Sequence, residues 1–315
     1  LPEDRSSEIV GEFVAMKVLA VVVTHNRADL LRRCVTHLLA QTRRPDGILV
    51  VNNGSTDGTQ AMLEELGVEC LTQDNVGSAG GWHRGIAEAE ARGYEAVWLM
   101  DDDGFPDAGA LRMLVAASGE NVACASSVVL CEDDPQRFVF PFPKLDAQGL
   151  PRLLGWPRKV AQLDALRAMA EDGNYPFAHL FNGALVRLSA VARVGNVNRD
   201  FFIFGDEVDY FFRLRAAGKV ISVMDALHYH PDVGQRPYSA MKVYYYVKNT
   251  LILHRRYFNH VWVRNLLAVG VVLQRVASRN GVKEAVSYMF GAHASSMAKA
   301  IGRGLQGRIG RDFNA

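Results

Sequence analysis

The sequence predicts an α/β fold with a mostly parallel central sheet, followed by a helical C-terminal region. Three observations carry this expectation. Apolar, β-branched runs alternate with stretches of helical periodicity over residues 18–100. Four of the strand-like runs end in polar or acidic residues. Beyond about residue 238 the apolar spacing turns helical.

Taken in order, residues 18–23 form a continuous apolar run, expected as a buried parallel strand. Residues 29–40 place Leu30, Leu31, Cys34, Leu38 and Leu39 at helical spacing. A second strand is expected over 48–51. Ser55, Thr56 and Asp57 should cap a helix that runs to Leu66 and stops at Gly67. A third strand follows over 68–71, a helix over 80–92 ended by Gly93, and a fourth strand over 96–100. Residues 131–158 are rich in Pro and aromatic side chains, including Phe138, Phe140, Phe142 and Trp156, and read as a long loop or excursion. A strand over 180–188, a helix over 209–217 stopped by Gly218 and a strand over 220–224 complete this part. Residues 261–276 are strongly apolar but bracketed by Arg264 and Arg275, a stretch too short to span a bilayer. They read as an interfacial amphipathic helix, or as a core helix or dimer face.

This pattern divides the chain into an α/β domain over 16–235 and a basic helical region over 236–315. Residues 1–15 are polar and aperiodic ahead of Met16-Lys17-Val18-Leu19 and are expected to be foreign to the fold. No signal peptide is expected. The 315 residues are 49% hydrophobic and 22% charged, enough for a large core and unlike a disordered chain. Cys34, Cys70, Cys124 and Cys131 show no paired spacing, which argues against a zinc site or a disulfide framework and fits a reducing compartment. The net charge of +1 hides an asymmetry. Residues 240–315 carry 12 Lys/Arg against Glu284 and Asp312, leaving 23 basic and 32 acidic residues before them. A basic tail calls for an anionic partner such as a membrane surface or a pyrophosphate lipid. Nucleic acid is not expected, for want of a supporting module.

The run Trp98-Leu99-Met100-Asp101-Asp102-Asp103 holds three carboxylates at the end of a buried strand. Adjacent acids repel one another unless a positive group sits among them. A hard divalent cation, with open positions for phosphate oxygens, is the natural occupant. The strand ends Thr24-His25-Asn26-Arg27, Asn52-Asn53-Gly54 and Asp74-Asn75 should share that edge, where ligands of such sheets bind.

Four blocks in order, Val21-Val22-Val23-Thr24-His25-Asn26-Arg27, Val51-Asn52-Asn53-Gly54-Ser55-Thr56-Asp57-Gly58-Thr59, Asp101-Asp102-Asp103 and Gly205-Asp206-Glu207-Val208-Asp209, resemble the family 2 glycosyltransferases of the GT-A fold. The Gly-rich run Gly77-Ser78-Ala79-Gly80-Gly81-Trp82-His83-Arg84-Gly85 is similar to that of bacterial galactofuranosyltransferases, with rhamnosyltransferases next. The resemblance implies an inverting, metal-dependent transfer of a sugar from a nucleotide donor, UDP-galactofuranose or else dTDP-rhamnose. The acceptor would be a hydroxyl of a glycan or lipid-linked glycan, in cell-surface polysaccharide synthesis. It implies Mn²⁺ or Mg²⁺ held by Asp101, Asp103 and His230, with His228 as the other candidate histidine, one of the two being spent on a turn. Asp102 would lie near ribose. Thr24, His25, Arg27, Asn53, Asn75, Gly81, Trp82 and Arg84 would bind the donor, Asn53 at the pyrimidine edge. Glu207, or Asp206, would be the general base, and Asp209 would begin and cap the next helix. Phe181-Asn182-Gly183 and Tyr244-Tyr245-Tyr246-Val247-Lys248-Asn249 resemble family segments but carry no assigned chemistry. Such an enzyme would work in the cytoplasm at the inner face of the plasma membrane, in peripheral contact with anionic lipid and possible as a homo-oligomer. The rival classes are a sugar-phosphate nucleotidyltransferase, disfavoured because residues 24–27 lack a glycine, and a non-catalytic glycan- or membrane-binding module, disfavoured because every acid is present.

Overall fold

A computed structural model describes residues 16–234 and 237–313. Residues 1–15, expected to be foreign to the fold, lie outside the described residues. The first half alternates as expected: β1 (Val18–Thr24), α1 (Ala28–Leu39), β2 (Gly47–Asn52), α2 (Thr59–Glu65), β3 (Glu69–Thr72), α3 (Gly77–Ala91) and β4 (Ala96–Asp101). After these come β5 (Phe105–Pro106), α4 (Ala110–Ala117), β6 (Val122–Cys131), β7 (Asp134–Pro143), β8 (Lys159–Gln162) and α5 (Leu163–Arg167). Then follow β9 (Asn174–Tyr175), β10 (Asn182–Arg187), α6 (Leu188–Val194), α7 (Asp206–Ala217) and β11 (Lys219–His230). The chain ends in α8 (Ala240–Tyr257), α9 (Val261–Asn280), α10 (Val282–Phe290) and α11 (Ala294–Leu305).

The central sheet runs β3-β2-β1-β4-β10-β6-β11-β5. Its first four strands are parallel. β10 lies antiparallel between β4 and β6, and β11 returns parallel to β6. Side chains of a strand alternate between faces, and β1 shows how that builds two cores. Leu19, Val21 and Val23 pack under Trp82 and Ile86 of α3, while Val18, Ala20 and Val22 pack under Leu31, Cys34 and Leu38 of α1. A third core joins Tyr244, Tyr245 and Val247 of α8 to Val272 and Val276 of α9 and Met297 and Ala300 of α11.

Five expectations change. The Pro- and Phe-rich stretch is not simply a loop: β7 pairs with β6 and β8, and Phe138 and Phe142 fill a fourth core. The helix expected over 80–92 begins at Gly77, so Gly77, Ser78 and Ala79 also belong to α3. The helix expected from Asp209 begins at Asp206, on Gly205 at φ +91°. Glycine alone holds that left-handed position at no steric cost. The strand expected to stop at Met224 continues through a bulge to His230. α9 is also longer than its apolar stretch, and its 20 residues are long and apolar enough to cross a membrane by length and composition. One face of it is buried, including Arg264 and Asn265.

Candidate active site

Parallel pairing brings strand ends to one edge. Thr24 of β1 stands opposite Asn52 of β2, and Val23 opposite Asp101 of β4. The acids that follow are therefore fixed by backbone register. Thr24 Oγ1 donates to Asp102 Oδ2 at 2.7 Å. Arg27 Nη1 donates to Asp102 Oδ1 at 3.0 Å and to Asp103 Oδ2 at 2.9 Å. Asp102 and Asp103 are both buried. Burial pushes the Asp101 carboxyl well above the usual carboxylate range, and the charges of Asp103 and Asp102 push the same way. Burial also raises Asp102, against the pull of Arg27 and of the Thr24 hydroxyl. Among the described residues the raised Asp101 and Asp102 carboxyls mark a surplus of negative charge, the condition that a bound cation relieves.

His230 reaches this cluster from the end of β11. Its Nδ1 lies 2.7 Å from Pro231 O, an atom that only accepts, so Nδ1 carries the proton. The other nitrogen, Nε2, lies 2.8 Å from Asp103 Oδ1. Anchoring one ring nitrogen on a carbonyl orients the other as a metal-binding atom. His228 is not spent on a turn: it is fully buried within β11, and neither ring nitrogen has a hydrogen-bond partner among the described residues. Burial, with the nearby His230, lowers it to about 3 and keeps it neutral. Gly104 makes its room, since a Cβ there would lie 2.2 Å from His228 Nε2. Among the described residues no group of three His, Cys, Asp or Glu side chains is closed into a metal cage. Asp103 and His230 are nevertheless in contact, and with Asp101 beside them they supply the oxygen and nitrogen donors that Mn²⁺ or Mg²⁺ takes.

The expected donor residues divide. His25 donates from Nδ1 to Asn53 O at 2.9 Å and lies exposed at the edge. Asn53 is buried with its amide occupied: Oδ1 accepts from Gln73 at 2.7 Å and Nδ2 donates to Gly77 O at 3.2 Å. Asn75 accepts from Gly77 N at 3.0 Å and so starts α3. Gly81 and Trp82, expected at the nucleotide, are core residues. A Cβ on Gly81 would meet Val23 Cγ1 at 2.6 Å, and Trp82 stacks on Phe181 with centroids 4.6 Å apart. The glycines thus serve the close approach of α3 to β1. Arg84 points away into an ion pair with Glu88 on α3.

The acid block sits on a strained loop. Phe202 and Phe204 hold φ of +64° and +58°, a region bulky residues rarely enter. Asn249 of α8 spans the loop, its Nδ2 donating to Phe201 O at 3.2 Å, Ile203 O at 3.0 Å and Phe204 O at 2.7 Å. Asp206, next in the chain, is buried. Burial, with the charge of Glu207, raises it to about 7, and its own charge contributes to the upward push on Asp101. Glu207 is half-buried, and its Oε1 accepts from Leu180 N at 2.8 Å with His179 Nδ1 3.6 Å away. Asp209 does not cap the helix. It lies one turn in, bonded to Arg213 Nε at 2.8 Å, Arg256 Nη1 at 3.3 Å and Tyr257 Oη at 2.7 Å, and ties α7 to α8.

Beside Glu207 opens a cavity of about 570 Å³ between the 141–159 excursion and helices α8 and α9, with Val208 and His179 in its wall. The sequence reading missed His179 and this cavity, because neither leaves a spacing signature; both depend on how the excursion folds against α9.

Comparison with known proteins agrees with this architecture. The family described as Glycosyl transferase family 2 matches residues 19–155. Galactofuranosyltransferase GlfT1 of Mycobacterium tuberculosis is 38% identical over 223 residues, covering 68% of this chain and 70% of that protein. GlfT1 of Mycolicibacterium smegmatis is 34% identical over 221 residues, with 68% and 70% covered. The N-acetylglucosaminyl-diphospho-decaprenol L-rhamnosyltransferase of Mycobacterium tuberculosis is 30% identical over 216 residues, with 63% and 70% covered. Among solved structures, GalNAc-T7 with UDP, GalNAc and Mn²⁺ aligns at a TM-score of 0.59 and 15% identity, over 90% of this chain and 56% of that one. Mannosyltransferase PcManGT from Pyrobaculum calidifontis, in complex with GDP-Man and Mn²⁺, aligns at 0.53 and 15% identity, over 95% and 83%. These two share the GT-A fold with this chain. Kinship in sequence, the shared fold and the acid-lined sheet edge converge on one conclusion: the chain belongs to glycosyl transferase family 2 and is a glycosyltransferase.

Proposed function

We propose that this enzyme transfers galactofuranose from UDP-galactofuranose, with inversion, to a hydroxyl of a glycan or lipid-linked glycan in cell-surface polysaccharide synthesis. The observation that carries the reading is the continuity of the site. Acids run from Asp101–Asp103 and His230 through Asp206 to Glu207, whose neighbours His179 and Val208 line the cavity. The 38% identity to proteins named galactofuranosyltransferase supports this choice of donor sugar; the 30% identity to a rhamnosyltransferase makes dTDP-rhamnose the second choice.

In this reading Asp101, Asp103 and His230 hold Mn²⁺ or Mg²⁺, which when bound neutralises charge on the departing nucleoside diphosphate. Thr24 and Arg27 keep Asp102 and Asp103 in place. Arg27, now shared between two carboxylates, is also within reach of a phosphate. Glu207 takes the proton from the acceptor hydroxyl, its carboxylate oriented by Leu180 N–H. Asp206 is the less suitable base, because it is buried on the side of Asp101. A base and a metal on opposite sides of the anomeric carbon would make the displacement in line, hence inverting.

We take residues 16–235 as the catalytic part and 236–315 as the part that meets the acceptor and the membrane. Trp262 and Leu266 of α9 are 74% and 75% exposed, and Trp156 of the excursion is 91% exposed. Exposed Trp beside Lys and Arg suits a headgroup layer, so the enzyme is read as peripheral on the inner face of the plasma membrane.

The test is titration of the protein with UDP, with and without Mn²⁺, followed by a donor screen on a short glycan acceptor. Metal-dependent UDP binding and product from UDP-galactofuranose are expected. Absence of both would overturn the reading.

A further inference from the structure

The cavity beside Glu207 has a charge that the catalytic reading does not use. Arg152, Arg158, Lys159, Arg264 and Arg275 all line it, and among the described residues no carboxylate does. Arg264 is spent on structure, donating to Pro151 O and to Asn259 Oδ1, both at 3.0 Å. Arg158, Lys159 and Arg275 have no carboxylate partner among the described residues. Lys159 is exposed at the rim, yet the protein around its ammonium desolvates and lowers it, and Arg275 and Arg158 lie close enough to add to that effect. Arg275 is held over the Tyr246 ring at 5.2 Å. Three like charges gathered at one wall cost energy unless an anion joins them. The remaining lining is chiefly apolar, including Leu153, Trp156, Phe258, Leu267 and Val271. An inorganic ion would leave that surface unused, and a neutral lipid would leave the cations unused.

We infer that Arg158, Lys159 and Arg275 form a seat for a phosphate or diphosphate group carried on an apolar chain, which places a phosphoryl linker of the acceptor within the cavity that adjoins Glu207. This rests on the reading of the cavity as the acceptor site. Arg supplies paired N–H donors and Lys a point charge, the usual combination for phosphoryl oxygens.

The experiment uses the full chain in solution and decyl diphosphate as probe, followed by calorimetry without metal. Decyl maltoside and inorganic pyrophosphate serve as half-probes. Decyl diphosphate should bind at least tenfold more tightly than either. The triple variant Arg158→Gln, Lys159→Gln, Arg275→Gln should lose that preference while still binding UDP with Mn²⁺ as the parent does. UDP binding reports the fold and the donor site, so its loss in the parent protein would strike the transferase reading and not this one. Equal affinity for decyl maltoside, or an undiminished preference in the triple variant, would overturn the seat. The alternative source of phosphate is a bilayer headgroup. If phosphatidylglycerol vesicles capture the protein through these residues while monomeric decyl diphosphate fails to bind, the cations serve the membrane and the inference is wrong.

Discussion

Asn249 offers the sharpest test of how this fold places its base. Its amide is 1% exposed and faces three carbonyls of the loop that carries Asp206 and Glu207. Two N–H protons are shared among three acceptors, so Asn249→Ala removes the equivalent of two buried hydrogen bonds. At about 1 kcal/mol each, and with the carbonyls left unsatisfied, the loss in unfolding free energy is roughly 2–3 kcal/mol. The clamp also opposes strain. Phe202 and Phe204 each store about 1–3 kcal/mol in their backbone conformations. Once the amide is gone, relaxation of either Phe is downhill, and it moves Gly205 and both acids. A displacement of about 1 Å at a reacting group lowers the rate up to ~10²-fold. The assay is single-turnover transfer beside UDP affinity in Mn²⁺ and urea unfolding. Transfer should fall about 10²-fold with UDP affinity kept. Val276→Ala, in the same helical core, is the control for destabilisation alone. If both variants lose stability and both keep their rate, Asn249 is packing and the positioning argument is refuted.

Four further outcomes are expected. Asp103→Asn and His230→Ala should each abolish the Mn²⁺ dependence of UDP binding, read by calorimetry, while leaving the metal-free fold intact by circular dichroism. Asp206 is raised to about 7 in the folded protein, above the ~3.9 of an unperturbed Asp. The native state therefore holds a proton that the unfolded chain releases. Its stabilising contribution is complete below about pH 4 and is lost as pH rises through 7, so the melting temperature of metal-free protein should fall over that window and Asp206→Asn should flatten the fall. Lys248 is fully buried, donating at 2.6 Å to Asp312 Oδ2 and to Gly310 O. Lys248→Met strands the Asp312 charge against Arg303 alone and should cost about 3–5 kcal/mol in urea unfolding. Trp262→Ala with Leu266→Ala should weaken sedimentation with phosphatidylglycerol vesicles without changing transfer to a detergent-dispersed acceptor.

Much of the donor half was legible because its logic is local. β1 and β4 are continuous apolar runs, and parallel pairing alone carries Thr24 and Asp101 to one edge. The glycines of α3 were visible but misassigned. Gly81 and Gly85 look alike whether backbone approaches a phosphate or a strand, and here a Cβ at 85 would meet Val21 Cγ1 at 2.3 Å. Trp82 went astray for the same reason, since an aromatic after glycines packs a core as readily as it stacks on a base. β6 was missed because Ser126 and Ser127 interrupt its apolar run, although both are fully buried. The role of Asn249 lay beyond any local pattern, because its three acceptors are about 45 residues away in sequence.

The charge asymmetry along the chain acquires a spatial meaning in the folded protein. Four acids of the first 239 residues, Asp101, Asp102, Asp103 and Asp206, gather at the sheet edge. Basic residues from the excursion and from α9 line the adjoining cavity, where no carboxylate of the described residues lies. The two fields meet at Glu207 and Val208. In the proposed reading a donor diphosphate with its metal would carry a different local charge from a bare phosphoryl group, so the acid edge would favour the first and the basic cavity the second. Clefts with low-dielectric walls focus such fields. A bare phosphate entering the acid edge would face Asp101–Asp103 without a counterion, and a metal ion entering the cavity would face Arg158, Lys159 and Arg275. In the proposed reading this separation of charge, with Asp101–Asp103 on one side and Arg158, Lys159 and Arg275 on the other, would sort the two phosphoryl groups without a moving part.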